Sequence, residues 1–143
     1  MQMVIFTGPQ ASGKSTFFKD YFYDTHVRIN LDMLKTRHRE SILFNACLES
    51  KANCVIDNTN PKKHDRSRYI LPAKRKGFGI VGYFFKSTIE DALKRNEKRK
   101  NPIPEKGIYA TFNKLEEPSL DEGFEILYCV TIDTQSNFVV AKM

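Results

Sequence analysis

Gly8, Gly13, Lys14 and Ser15 stand in "GPQASGKS", which fits the spacing Gly-x-x-x-x-Gly-Lys-Ser. Glycines at these positions let the backbone curl until successive N–H groups face one centre, and a helix starting at Lys14 adds free donors and the positive end of its dipole. Such a cradle takes a triphosphate. Lys14 would reach the β- and γ-phosphates, the Ser15 hydroxyl would meet Mg²⁺, and Gln10, Ala11, Ser12 and Thr16 would complete the ATP contacts. An ordinary glycine-rich turn is the competing reading. Against it stands the context, an apolar run (Met3 to Phe6) before the loop and an amphipathic stretch after it.

Two carboxylates have chemistry available to them. Asp32 follows "VRINL" and Asp57 follows "CVI". In a parallel sheet the strand C-termini share one edge, so both residues face the same crevice as the loop. Asp57 has the place of a carboxylate that orients Mg²⁺ or its water shell, whereas Asp32 is free to accept the proton of an attacking hydroxyl. Each has a structural alternative: Asp32 as the N-cap of a helix starting at Met33, Asp57 as the brace of the turn "DNTNP". Positive charge comes from "KRNEKRK", Lys94 to Lys100, five basic residues in seven just before the proline-rich "NPIPEKG". A lid hinged there would carry an arginine to the transferring phosphoryl group; a solvated helix face is the alternative.

The elements that must position these groups alternate in type. Strands are expected at Met3 to Phe6, His26 to Ile29, Cys54 to Ile56, Ile80 to Phe85 and Phe124 to Ile132, and the tail "NFVVAKM" could add an edge strand after a turn. Helices are expected at Lys14 to Tyr23, Asp32 to Glu49, Lys63 to Lys76, Thr88 to Lys100 and Ile108 to Leu115, with Ser87 and Glu90 forming a capping box for the fourth. Alternation of this kind predicts an α/β fold, a parallel sheet with helices on both faces. The 143 residues suit one domain, 1–143, with a lid segment at about 94–107.

Composition narrows the partners. The net charge of +6 favours an anionic partner, with a merely basic surface as the alternative. Cys47, Cys54 and Cys129 lack metal or redox spacing and are expected to be reduced thiols. No basic leader and no apolar run of membrane-spanning length is present, so a cytoplasmic protein is the expectation.

With these residues assembled, the chain resembles the kinase domain of polynucleotide 5′-hydroxyl kinases, including that of polynucleotide kinase/phosphatase. The resemblance runs from "GPQASGKSTF" through "INLDML", "VIDNTNP" and "RSRYI" to "RNEKR" and "EEPSLDEGF". It implies the P-loop NTPase kinase fold, with a five-stranded, mainly parallel sheet of order 2-3-1-4-5. It also implies ATP- and Mg²⁺-dependent transfer of the γ-phosphoryl group to the 5′-hydroxyl of DNA or RNA. Asp32 would then be the general base, Lys14 and Arg99 the transition-state cations, Arg95 an ATP contact, and Ser15 and Asp57 the metal side. Arg66 and Arg68 would flank the acceptor path, although a surface helix would also explain them; Lys35 would flank it too, where some members of the family carry an arginine. No Asp-x-Asp-Gly-Thr phosphatase signature is present, and no phosphatase domain is expected. Two alternatives stay open: a small-molecule or zeta-toxin-like sugar-nucleotide kinase, and a nucleotide-dependent nucleic-acid-binding module that transfers nothing.

Overall fold

Met3, Val4, Ile5 and Phe6 are all buried without alternation, the pattern of a parallel strand covered on both faces. A computed structural model, which describes residues 1–143, places them in β1 (Gln2–Thr7), the middle of a six-stranded sheet. Its order is 2-3-1-4-5-6. β1 pairs in parallel with β3 (Cys54–Ile56) and β4 (Gly79–Phe85); β2 (Val27–Ile29) lies outside β3, and β5 (Ile126–Ile132) outside β4. The predicted parallel order is therefore present. One strand is added: β6 (Phe138–Lys142) runs antiparallel beside β5, so the tail does form an edge strand.

Side chains alternate across the sheet and sort into two cores. On one face Val4, Phe6, Val55, Val81, Phe85 and Val130 meet Phe17, Phe18 and Phe22, contributed by α1 (Lys14–Tyr21) and the residue after it. On the other, Met3, Ile5, Ile29, Ile56 and Ile80 meet α3 (Arg37–Ser50) through Phe44, Cys47 and Leu48, and α4 (Lys63–Arg75) through Tyr69, Ile70 and Ala73. Cys47 and Cys54 lie in that second core; all three cysteines are free.

The helix expected from Asp32 to Glu49 is two helices. α2 (Leu31–Leu34) stops at Lys35, whose φ of 77° ends the turn, and Thr36 caps α3 by accepting from the Arg39 N–H at 3.1 Å. The capping box expected of Ser87 and Glu90 is also displaced. Thr88 caps α5 (Ile89–Glu97), taking the Asp91 N–H at 3.1 Å, while the Ser87 hydroxyl accepts from Arg95 at 3.2 Å. The loop expected to run to Gly107 ends sooner. Pro104 caps α6 (Glu105–Lys114), and a proline there costs the helix nothing because the first N–H groups have no intrahelical partner.

Candidate active site

The loop between β1 and α1 curls for two different reasons. Gly13 has φ 92°, and Ala11 supplies a second left-handed residue at φ 60° without being glycine. Gly8 is held to glycine by space: a Cβ there would lie 2.7 Å from the Phe85 Cβ and 2.8 Å from its carbonyl oxygen. The Gly8 N–H is tied to the Thr59 carbonyl at 3.0 Å, which fixes the loop to the segment after β3. Inside the curl the Lys14 ammonium donates to the Pro9 and Gly8 carbonyls at 2.6 and 3.0 Å. Burial pushes Lys14 down to about 8; Arg99 adds to the effect, while Asp57 and Asp32 oppose it.

Asp57 sits one residue beyond β3 and is 1% exposed. Its Oδ2 accepts from the Ser15 hydroxyl at 3.4 Å and from Arg28 Nε at 2.8 Å, so its side chain is turned to the loop rather than to bracing its own turn. Asp32 is exposed within α2 at the end of β2. It does not cap that helix. Asn30 does, its Oδ1 accepting from the Met33 N–H at 2.8 Å while its amide donates to the Asp57 carbonyl at 2.6 Å. Asn58 closes the same joint by accepting from the Leu31 N–H at 2.8 Å. Asp32 keeps a free carboxylate on a turn fixed from both sides.

Both aspartates, Lys14, Ser15 and Gln10 line one cavity of about 530 Å³, together with Arg37, Arg68, Arg95 and Arg99. Arg95 donates to the Ala11 carbonyl at 3.1 Å, so α5 grips the phosphate loop directly. The segment after it is tied by Asn96, whose amide donates to the Ile103 carbonyl at 2.8 Å and accepts from the Ile103 N–H at 3.0 Å. Arg99 stands on that segment and faces the cavity.

The residues present fit a metal–triphosphate. Ser15 and Asp57 already receive a positive group, the Arg28 guanidinium, where a cation would stand. No three His, Cys, Asp or Glu side chains converge as a metal site. Mg²⁺ at Ser15 and Asp57 would therefore be completed by phosphate oxygens and water, its usual habit beside nucleotides.

A family model described as an AAA domain matches residues 3–118. The chain belongs to that AAA-domain family. Among its relatives, the bifunctional polynucleotide phosphatase/kinase of Schizosaccharomyces pombe is 28% identical over 129 residues, covering 86% of this chain and 32% of the relative. The L-seryl-tRNA(Sec) kinase of Methanococcus maripaludis is 24% identical over 151 residues, covering 92% and 59%. The chain thus spans less than two thirds of either relative's length. A gluconokinase from Sinorhizobium meliloti has the same fold, with a TM-score of 0.65 at 16% identity over 91% of this chain and 82% of that one. The chain has the α/β fold of P-loop kinases. Within it no helix is long and apolar enough to cross a membrane.

The expected residues do not all meet. Lys14, Ser15, Asp32, Asp57, Arg68, Arg95 and Arg99 share the cavity, as do Gln10, Ala11, Gly13 and Thr16. Gly8 and Ser12 shape the loop from behind, Ser12 by donating to the Pro9 carbonyl at 2.7 Å. Arg66 is a correction. It is 0% exposed, its Nε and Nη2 donate to the two Glu122 carboxylate oxygens at 2.7 and 2.9 Å, and its Nη1 donates to the Asn60 carbonyl at 3.1 Å. A guanidinium so paired and fully buried braces a loop and is closed to an acceptor. Lys35 is exposed and is not among the residues that line the cavity. Arg37 lines it instead. Sequence reasoning missed Arg37 and Arg28, because only folding brings the first beside Tyr69 and the second beside Ser15.

Proposed function

We propose that the chain transfers the γ-phosphoryl group of ATP to the 5′-hydroxyl of a nucleic acid. The observation that carries the reading is the charge and openness of the wall beyond Asp32. Arg37 and Arg68 line both the main cavity and an adjoining hollow of about 430 Å³ between α3 and α4, so the acceptor side continues past the reacting group instead of closing around it. A pair of arginines shared by two neighbouring hollows suits an acceptor that carries more than one phosphate. The likeness to the kinase-containing relative from S. pombe points the same way.

In this reading Asp32 accepts the proton as the acceptor O–H bond breaks and its oxygen bonds to the γ-phosphorus; the bond from that phosphorus to the ADP oxygen breaks. Lys14 and Arg99 would stabilise the charge that gathers on the phosphoryl oxygens, and Arg95 ties α5 to the loop. Bound Mg²⁺, met by Ser15 and Asp57, supplies neutralisation of phosphate charge.

The test is incubation with γ-labelled ATP and a panel of acceptors: 5′-hydroxyl oligodeoxynucleotides and oligoribonucleotides, seryl-tRNA, gluconate and a sugar nucleotide. Label on the oligonucleotides is the expected result. Label on a small acceptor alone hands the site to a small-molecule kinase, and label on seryl-tRNA alone to the second relative's chemistry. No transfer to any of them, with ATP still bound, leaves a binding module.

A further inference from the structure

Arg28 has no part in the chemistry above, yet it occupies the protein's half of the metal site. It pairs with Val55 across β2 and β3, which puts its side chain on the α1 face of the sheet, the face to which Asp57 also points two residues beyond Val55. Its Nε donates to Asp57 Oδ2 at 2.8 Å and its Nη2 to Ser15 Oγ at 2.9 Å, with the guanidinium carbon 5.7 Å from the centre of the Phe18 ring. One planar cation thus bridges both groups that a Mg²⁺ would use. A metal at those two atoms would meet the guanidinium's like charge at contact distance.

We propose that Arg28 is an internal cation that occupies the metal position in the nucleotide-free chain and must swing aside for the metal to enter. Arg28 is 28% exposed at the sheet's edge, with solvent on one side, so it can leave without disturbing the core. Asp57, at 1% exposed, cannot follow it out. The buried carboxylate therefore has a cation in either state, which spares it the cost of standing unpaired. The same exchange makes free divalent ions poor competitors. A metal arriving on a triphosphate brings extra negative charge, and that charge gives the displaced guanidinium a new partner, so loading favours the metal–nucleotide complex over the bare ion.

The inference rests on the assignment of Ser15 and Asp57 to the metal and is independent of the acceptor. The experiment is Mn²⁺ binding to the nucleotide-free protein, followed by electron paramagnetic resonance and calorimetry, in wild type, Arg28→Gln, Asp57→Asn and the double variant, with thermal melting as the check on folding. Removing the competing charge should tighten Mn²⁺ binding by about tenfold or more, the scale of one unit charge at contact distance in a partly solvated site. The double variant should lose that gain. Arg28→Lys, which keeps the charge without the fork, should fall between wild type and Arg28→Gln. If Mn²⁺ affinity in a folded Arg28→Gln is unchanged or weaker while Asp57→Asn still lowers it, Arg28 only organises its neighbours and the proposal is overturned. If Asp57→Asn has no effect either, the metal assignment itself fails, and that outcome is distinct from the first.

Discussion

Lys14 carries its charge at a cost, since burial pushes its ammonium down to about 8 from the ordinary 10.5. Between those values the unfolded chain holds one more proton than the folded one, so the nucleotide-free protein gains stability as pH rises from 8 towards 10.5. ATP reverses the balance, because its phosphates favour the charged amine. Binding above pH 8 should take up a proton, and affinity should fall as pH climbs through that value. Calorimetry in buffers of differing ionisation enthalpy reads the uptake directly, and no uptake at pH 9 would mean that Lys14 stays away from the phosphates. Asp32 gives a second prediction. Because Asn30 caps α2, Asp32→Asn should leave the melting temperature unchanged while turnover drops by roughly two powers of ten, the scale of a lost general base. A folded variant at wild-type turnover would remove Asp32 from the chemistry.

Elements, more than single residues, separate what the chain announces from what it conceals. The phosphate loop and its flanking strand and helix are legible because their signal is local: glycine positions, an apolar run, then Lys-Ser. The break at Lys35 is not. Neither proline nor glycine marks it, and Lys35 takes φ 77° because Thr36 caps the next helix and Asn30 and Asn58 pin the previous turn. The role of Arg66 is hidden for a related reason. On a helix rich in charge it resembles a surface arginine, and its partner Glu122 lies 56 residues away, beyond any local period. Both side chains of that pair are buried, at 0% and 3%. Arg66→Ala would strand the Glu122 carboxylate, so it should destabilise the protein by about 3–5 kcal/mol in urea titration. A loss well below 1 kcal/mol would show that Arg66 is not the brace its geometry describes.

For the molecule as a whole, charge is distributed by task. Carboxylates gather at the strand ends, while arginines from α3, α4 and α5 line the cavity. If a nucleic acid runs along that wall, its apparent affinity must fall with salt, by about −0.7 in logarithmic slope for each phosphate contact of a single strand. Arg68→Glu should then raise the KM for an oligonucleotide far more than that for ATP, which is held by a separate loop. Kinetics across a salt series decide this, and equal changes in both constants would count against a polymer path at α4. One contact lies outside this charge pattern. Phe138 of β6 stands against Phe17 at 5.2 Å and so close to Gly13 that a Cβ there would touch its ring at 2.9 Å. The phosphate loop thus receives its last wall from β6, a strand remote from it along the chain. A proteolytic nick in the turn between β5 and β6 would leave every residue of the loop in place but free that wall, so nucleotide should then be held less tightly.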